Sequence, residues 1–473
     1  MSDTITITRK YTLIPTFSER KEWIKRIMDF TKDSYTQKIE YYEDKLKKTK
    51  KKEKEERNKI ENRLNSLKNQ QKDFIENGIL LQSNVNDYTY ELIREAMKSE
   101  ACRKNAIISY VFMELLARNA VDMDFKERNK LIFELTKYGY RIKGSKSGSL
   151  FDLFDIDNPL GGYGIAFSQQ LTAKIRDMVN KDRVLEGRKS ATLTYKLDSP
   201  FTIAKTAMSF SHDYDSFEEL CEHIKEKDCN LYFNFGGNGN PTIARFKINL
   251  GANRKNKDEL IATILRVYSG EYQFCGSSIG IEKQKIILNL SMKIPKQKKK
   301  LDENTVVGIY LGMAAPATCA INNKPNEKLT IGDTDDFLRN RTKFQAQRVR
   351  LQKSLKYTSG GHGRKKKLKA LERLKKSESH FAETTCHVIS KNAVDFALKN
   401  HAKYINIESG KIADDSILKN LSHYRIQQYI TYKAAKYGIE VREVNVCGDA
   451  ESCKHNTDTD FSAAEAVAQF VFK

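Results

Sequence analysis

The C-terminal part of the chain alternates strand-length and helix-length segments, and this order favours a sheet with helices packed against it. Three short apolar runs come first: VVGIYL, ATCAIN and KLTIG. Two long helices are predicted next, over residues 336–355 and 365–399. The strand AKYINIE, a helix, the strand IEVREVNV and a last helix, SAAEAVAQFVF, complete the order. We therefore predict three antiparallel strands followed by βαβ units, in an α/β domain over residues 301–473.

The segments upstream have two other patterns, so the whole chain is predicted to be a multidomain α+β protein. TITITRKYTLIP alternates apolar and polar residues and predicts a strand within residues 1–17. Helical periodicity predominates over residues 18–180, as in NAIISYVFMELLARNAV. Strands separated by Gly and Asn turns then predict a small β-barrel over residues 181–300, which the N-terminal strand completes.

The charge of the chain points to a polyanionic partner. The net charge is +22, which favours nucleic acid first and an anionic membrane surface second. Hydrophobic residues make up 39% of the chain, so we expect packed cores and not a disordered basic tail. The sequence contains no window of 18 apolar residues and no apolar leader at its N-terminus. We therefore expect a cytoplasmic protein without a membrane partner.

Positive charge is densest in the two long C-terminal helices. Between Arg339 and Lys376 there are 15 Lys and Arg residues against one acidic residue, Glu372. An ordinary solvated helix mixes its charges, so this run predicts a phosphate-binding face. The charged helix pair within residues 35–76 has two interpretations: a solvated helical hairpin, or a second face that binds nucleic acid. The predicted nucleic-acid contacts are Arg339, Arg341, Lys343, Arg348, Arg350, Lys353, Lys356, Arg364, Lys365, Lys366, Lys367, Lys369, Arg373, Arg188 and Lys189.

Four features of the C-terminal part resemble the RuvC domain of type V CRISPR effectors, which is RNase H-like. They are VVGIYLG for the family's G-I-D-L-G, a basic hairpin before ISKNAVDFALKN, INIES for I-x-x-E-D, and YITYKAAKYGIEVREVN before a D-x-x-A-A helix. The chain is most similar to the miniature V-F subtype and its TnpB relatives, over residues 305–473. The resemblance implies a helical recognition domain over residues 18–180 and a β-barrel wedge domain over residues 181–300.

The resemblance also implies three site positions. In the family, acidic residues on the first strand, the fourth strand and the last helix clamp two divalent ions. Glu408 and Asp460 stand at the second and third of these positions, whereas Tyr310 stands at the first. The phenol of a tyrosine has a pKa of about 10, stays neutral and cannot bridge two ions. We therefore expect an inactive nuclease domain, with relict catalytic positions at these three residues, and a protein that is not an enzyme.

The family usually carries a zinc ribbon where this chain has residues 446–460. Cys447 and Cys453 are not a C-x-x-C pair, and His455 is the third weak candidate ligand. A structural zinc site takes four ligands at tighter spacing. We therefore expect no zinc and no cofactor for catalysis.

The function that the resemblance implies is guide-RNA-directed binding of double-stranded DNA without cleavage, in the bacterial cytoplasm and on the nucleoid. Transcription regulation is its expected use, through an extracytoplasmic-function sigma factor and RNA polymerase, with a homodimer on one guide RNA as a further expectation. Three alternatives stay open. They are repression by promoter occupancy, RNA binding without DNA opening, and an active metal-dependent endonuclease with a displaced carboxylate at Asp302, Asp333 or Asp335.

Overall fold

The computed structural model describes residues 4–17, 21–49, 54–138, 165–180, 184–186, 192–225, 230–235, 244–251, 257–297, 299–312, 315–358, 360–408, 423–446 and 457–470. The chain divides into two compact units. The N-terminal unit is Thr6–Ile294, and the C-terminal unit is Pro295–Lys473 together with Met1–Ile5. None of the described helices has the length and apolar character that crossing a lipid bilayer requires.

The first part of the N-terminal unit is helical. Its helices are α1 (Lys21–Lys48), α2 (Lys54–Asn77), α3 (Gln82–Ala117), α4 (Phe125–Phe133) and α5 (Ile165–Asn180), with a π-helical turn at Glu134–Tyr138. Asp124 caps α4, because its side chain accepts a hydrogen bond from the Glu127 backbone N–H at 2.7 Å. Side chains of α3, α4 and α5, including Ile108, Ile132 and Ile175, share one buried cluster. The helical part therefore has an apolar core of its own.

The second part of the N-terminal unit is an eight-stranded sheet in the order β2–β7–β8–β1–β5–β4–β3, with β6 paired to β8. The N-terminal strand β1 lies between β8 and β5 and is an interior member of this sheet. The strands are β1 (Thr4–Thr16), β2 (Phe201–Ile203), β3 (Met208–His212), β4 (Leu231–Phe235), β5 (Ala244–Asn249), β6 (Gln273–Phe274), β7 (Ser277–Glu282) and β8 (Lys285–Pro295). Two further helices are α6 (Phe217–Lys225) and α7 (Lys257–Tyr268), and single 3₁₀ turns occur at Val184–Glu186 and Lys205–Ala207.

The C-terminal unit contains a five-stranded sheet in the order β11–β10–β9–β12–β13. β9, β10 and β11 are antiparallel, whereas β12 is parallel to both β9 and β13. This is the predicted order of three antiparallel strands followed by βαβ units, and it confirms the α+β fold class. The elements are β9 (Asp302–Tyr310), β10 (Ala317–Ile321), β11 (Lys328–Ile331), α8 (Thr334–Lys356), α9 (Gly361–Lys399), β12 (Ala402–Glu408), α10 (His423–Lys436), β13 (Glu440–Val444) and α11 (Thr457–Gln469).

The two faces of β9 pack against different helices. Val307, Ile309 and Leu311 belong to the main apolar cluster of this unit, which also takes in buried side chains of α9 and α10. Tyr310 belongs to a small cluster with Ala320 and with Ala464 of α11. Because alternate residues of a strand point to opposite faces, β9 separates the apolar core from the face that α11 covers.

Candidate site at the edge of the C-terminal sheet

Tyr310 and Glu408 lie on neighbouring strands at one edge of the sheet. β9 and β12 are parallel and pair Ile309 with Ile407, so the next residues of the two strands are Tyr310 and Glu408. The Glu408 carboxylate accepts a hydrogen bond at 3.1 Å from the backbone N–H of Val446, which lies just after the end of β13. Two of the three predicted positions therefore meet at the same edge.

Helix α11 approaches this face closely because Gly308 has no side chain. A Cβ placed on Gly308 would lie 2.8 Å from the Cα of Ala468 and would overlap the backbone of Ala464. Only glycine lets the backbones of β9 and α11 come this close. The position of α11 on the sheet therefore depends on one residue of β9.

Asp460, the third predicted position, is carried to the same edge by α11. Its side chain is buried, and Asp460 is 1% exposed. A Cβ placed on Gly312 would lie 2.7 Å from the Asp460 Cγ, so the carboxyl group lies against the backbone just beyond β9. Because Gly312 follows Tyr310 by two residues, the structure brings together all three positions that the resemblance implied.

Asn406 fixes the other end of α11. The side chain is buried, and its amide nitrogen donates to the Val467 carbonyl oxygen at 3.0 Å and to the Phe470 carbonyl oxygen at 3.2 Å. Those carbonyls belong to the C-terminal end of α11, where backbone acceptors have no partner within the helix. Reasoning from the sequence missed Gly308, Gly312 and Asn406, since their roles depend on which helix covers this face.

Tyr310 is a packed residue of the site. It is 9% exposed and lies against Ala320 and Ala464. An aromatic ring in this position fills space between the sheet and α11 that a shorter side chain would leave partly empty. It therefore supports the helix that carries Asp460.

The three carboxylates named as possible displaced ligands are Asp302, Asp333 and Asp335, and the last of them lies in the first turn of α8. Asp302 begins β9, so it lies at the opposite end of the strand from Tyr310, and its carboxylate accepts from the Asn304 N–H and the Thr305 hydroxyl. Asp333 follows β11, which is two strands away from β9, a separation of about 10 Å. The Asp333 side chain also caps α8 by accepting from the N–H groups of Asp335 and Asp336.

The described residues do not fit a two-metal clamp. Such a site requires several carboxylates around ions about 4 Å apart, and no group of three or more His, Cys, Asp or Glu side chains suited to a metal occurs among the residues that the structure describes. The edge contributes Glu408 and Asp460, with Tyr310 beside them. We therefore derive no metal-dependent step from this geometry.

The predicted basic run forms an antiparallel helical hairpin of α8 and α9, which we call the basic hairpin. Several of its positive side chains already have protein partners. Arg348 pairs with Glu378, and Arg339 pairs with Asp336 at 3.3 Å. Burial lowers the pKa of Arg341 from its usual value. Arg348 is therefore less available to phosphate than the charge count implied, and Arg341 is partly buried, whereas the Arg339–Asp336 pair is exposed to solvent and weak.

Two of the predicted nucleic-acid-binding residues, Arg364 and Lys367, stabilise the turn of the basic hairpin. Arg364 donates to the carbonyl oxygens of Leu355 at 3.4 Å and Thr358 at 3.0 Å, and Lys367 donates to the Ser354 carbonyl oxygen at 3.0 Å. Both side chains of α9 thus satisfy carbonyls at the C-terminal end of α8.

The rest of the predicted run is exposed. No ion pair is formed within the described part of the chain by Lys343, Arg350, Lys353, Lys356, Lys365, Lys366, Lys369 and Arg373. Lys365, Lys369 and Arg373 are spaced four residues apart and form one stripe on α9. Like charges at this spacing destabilise a helix unless an anion compensates them. Arg188, Lys189, Cys447, Cys453 and His455 lie outside the described residues.

Comparison with known proteins relates this fold to one group of nucleases. No family model matches the chain. It is 29% identical over 293 residues to the CRISPR-associated endodeoxyribonuclease Cas12f1 of Sulfoacidibacillus thermotolerans, a match covering 59% of this chain and 65% of that protein. It is 34% identical over 213 residues to a protein of the same name from an uncultured archaeon, covering 42% of this chain and 40% of that protein.

A solved structure extends the similarity of the fold to the whole chain. The structure is a Cas12f1–sgRNA–target DNA complex, and it matches with a TM-score of 0.57, covering 99% of both chains at 19% identity. The chain is therefore similar to Cas12f1, a type V-F CRISPR effector, in sequence over part of its length and in fold over all of it. The two type V-F relatives are each matched over less than two thirds of their own length.

The type V-F relatives correct one of our predictions. Tyr310 stands at the end of the first strand, as expected, and from it we predicted that the protein is not an enzyme. That prediction is wrong, because the relatives that the chain matches are named endodeoxyribonucleases. The error came from treating one residue type as decisive for the activity of a whole domain.

Proposed function

We propose that this chain binds DNA under the direction of a guide RNA. The observation that carries the proposal is the exposed stripe of Lys and Arg on the basic hairpin, in the same unit as the RNase H-like sheet. Side chains of this kind contact the nucleic-acid backbone and contribute affinity without reading sequence. The fold shared with the Cas12f1–sgRNA–target DNA complex supports the same function.

In this function, sequence specificity comes from base pairing. The guide RNA pairs with one DNA strand, and the heteroduplex that forms is about as stable as the DNA duplex it replaces. Because this exchange is nearly balanced, contacts between the protein and the nucleic-acid backbone are enough to favour the heteroduplex. Retention of guide-matched DNA, compared with a mismatched duplex of the same length, tests the proposal; equal retention of the two duplexes contradicts it.

A second candidate function is cleavage of the bound DNA, which the names of the relatives favour. Glu408 ends β12 beside Tyr310 of β9, and Asp460 lies against Gly312 just beyond the end of β9. We expect Glu408→Ala to abolish guide-dependent cleavage, assayed with and without added magnesium, and to leave guide-dependent binding unchanged. Glu443→Ala is the matched control, because it removes an exposed carboxylate from the neighbouring strand β13 and should retain the activity of the parent chain. Products that persist in Glu408→Ala would place cleavage elsewhere.

Regulation of transcription is a finer proposal that rests on guided DNA binding. A protein held at a promoter by its guide can recruit an extracytoplasmic-function sigma factor and RNA polymerase, or it can block initiation. A reporter with a guide-matched site upstream of its start point, measured with and without a sigma factor, separates these outcomes. Guide-dependent transcription that requires the sigma factor supports recruitment, and a fall in expression in both conditions supports repression.

A further inference from the structure

Tyr357 is an unusually exposed aromatic residue at the turn of the basic hairpin. It directly follows α8 and is 89% exposed, the highest value among the large apolar and aromatic side chains of the described residues. A tyrosine ring presents a large flat surface at a low cost in side-chain entropy, so such residues commonly serve as binding anchors. The ring of Tyr357 therefore offers a surface for a flat partner.

The turn that carries Tyr357 is ordered by hydrogen bonds. Lys367 donates to the Ser354 carbonyl oxygen at 3.0 Å, and Arg364 donates to the Thr358 carbonyl oxygen at the same distance. The Thr358 hydroxyl donates to the carbonyl oxygens of Ser354 at 3.0 Å and Leu355 at 3.1 Å. These bonds fix the backbone on both sides of Tyr357. Its exposure is therefore a property of the folded turn.

The charges around the ring indicate the chemistry of the partner. Lys353 and Lys356 precede Tyr357 on α8, and Lys365 and Lys366 follow it on α9. All four side chains are exposed and form no ion pair within the described residues. An exposed aromatic ring on a positively charged surface is the combination by which proteins hold a base and its flanking phosphates, and the lysines that flank Tyr357 in the chain fit this pattern.

We propose that Tyr357 stacks on a nucleobase of the nucleic acid that the basic hairpin holds. The inference rests on the proposed function, and it adds a base contact where only phosphate contacts were assigned. Stacking is independent of base identity, because every base has a π face. The base belongs either to the guide RNA or to the target DNA, and both sources present the same chemistry to the ring.

The test measures affinity in two arms with the full-length protein. In the first arm, RNA that copurifies with the chain is rebound to RNA-free protein. In the second arm, the RNA complex binds a matched DNA duplex. Tyr357→Ala should weaken binding by about 5-fold to 150-fold in the arm that supplies the base, and Tyr357→Phe should bind like the parent chain. Tyr424→Ala is the matched control, since Tyr424 is 63% exposed and lies on α10, away from the basic hairpin in sequence.

A second readout separates stacking from charge. Removal of the stacking ring should leave the slope of log affinity against log salt unchanged, because every phosphate contact is kept. Weaker binding in the RNA arm assigns the base to RNA, and weaker binding confined to the DNA arm assigns it to DNA. Parental affinity of Tyr357→Ala in both arms overturns the stacking proposal. If the parent chain binds no RNA, the proposed function itself is overturned.

Discussion

Gly308→Ala is expected to destabilise the C-terminal unit and to displace α11 from the sheet. The added Cβ would overlap the backbone of Ala464 and lie 2.8 Å from the Cα of Ala468, and backbone atoms of a helix cannot yield as a flexible side chain can. Overpacking of a well-packed core costs about 1–3 kcal/mol, and this site should lie at or above the upper end of that range. Urea unfolding of the purified variant measures the change in the free energy of unfolding.

Hydrogen exchange measures the effect of Gly308→Ala on helix α11 alone. Hydrogen exchange over residues 457–469 should become faster in Gly308→Ala, because α11 no longer fits against β9. Gly363→Ala is the matched control: its Cβ would meet no atom within 4 Å, and the position lies within α9. It should stabilise the protein by about 0.5–1 kcal/mol. Parental stability and exchange in Gly308→Ala would show that β9 and α11 do not pack this closely.

Replacement of the exposed stripe on α9 is expected to weaken nucleic-acid binding for every sequence tested. The variant carries Ala at the stripe residues Lys365, Lys369 and Arg373 and at the adjacent exposed Lys366, and it keeps Arg364 and Lys367, which hold the hairpin turn. Each phosphate contact that the variant removes should reduce the slope of log affinity against log salt by about 0.9 for a duplex and about 0.7 for a single strand. Titration of the same RNA and DNA at several salt concentrations gives the slope.

The control for the basic hairpin removes lysines that already have acidic partners. Lys59 and Lys72 of α2 pair with Glu55 and Glu76, at 3.4 Å and 3.8 Å. The double variant Lys59→Ala, Lys72→Ala should keep the parental salt slope if α1 and α2 form a solvated hairpin. An unchanged slope in the four-residue variant on α9 would mean that the stripe is also an ordinary solvated surface.

The sequence was sufficient to predict the succession of strands and helices in the C-terminal unit and the antiparallel pairing of its first three strands, because short apolar runs alternate with long helices. It also placed Tyr310 and Glu408 at strand ends. It could not predict the roles of Gly308 and Asn406, which follow from the packing of α11 across β9 and β12. Contacts between residues far apart in the chain have no signature in local periodicity.

The basic hairpin shows the limit of counting charges along a sequence. The basic run ends at Lys376 and so does not include Glu378, which pairs with Arg348 from the neighbouring helix. The segment GGHG predicts a loop, whereas α9 begins at Gly361. Glycine costs a helix about 1 kcal/mol per residue, and here Arg364 and Lys367 contact the end of α8 from the first turns of α9. Tertiary contacts thus override the local preference.

Guide-directed binding to matching DNA, the proposed function, is tested by a single binding experiment. The protein is purified with its RNA, the RNA is sequenced, and two DNA duplexes are made that differ only in whether they match the guide. The matched duplex should be retained at protein concentrations that do not retain the mismatched one, and removal of the RNA should abolish the difference. Equal retention of both duplexes by the intact complex would contradict the account.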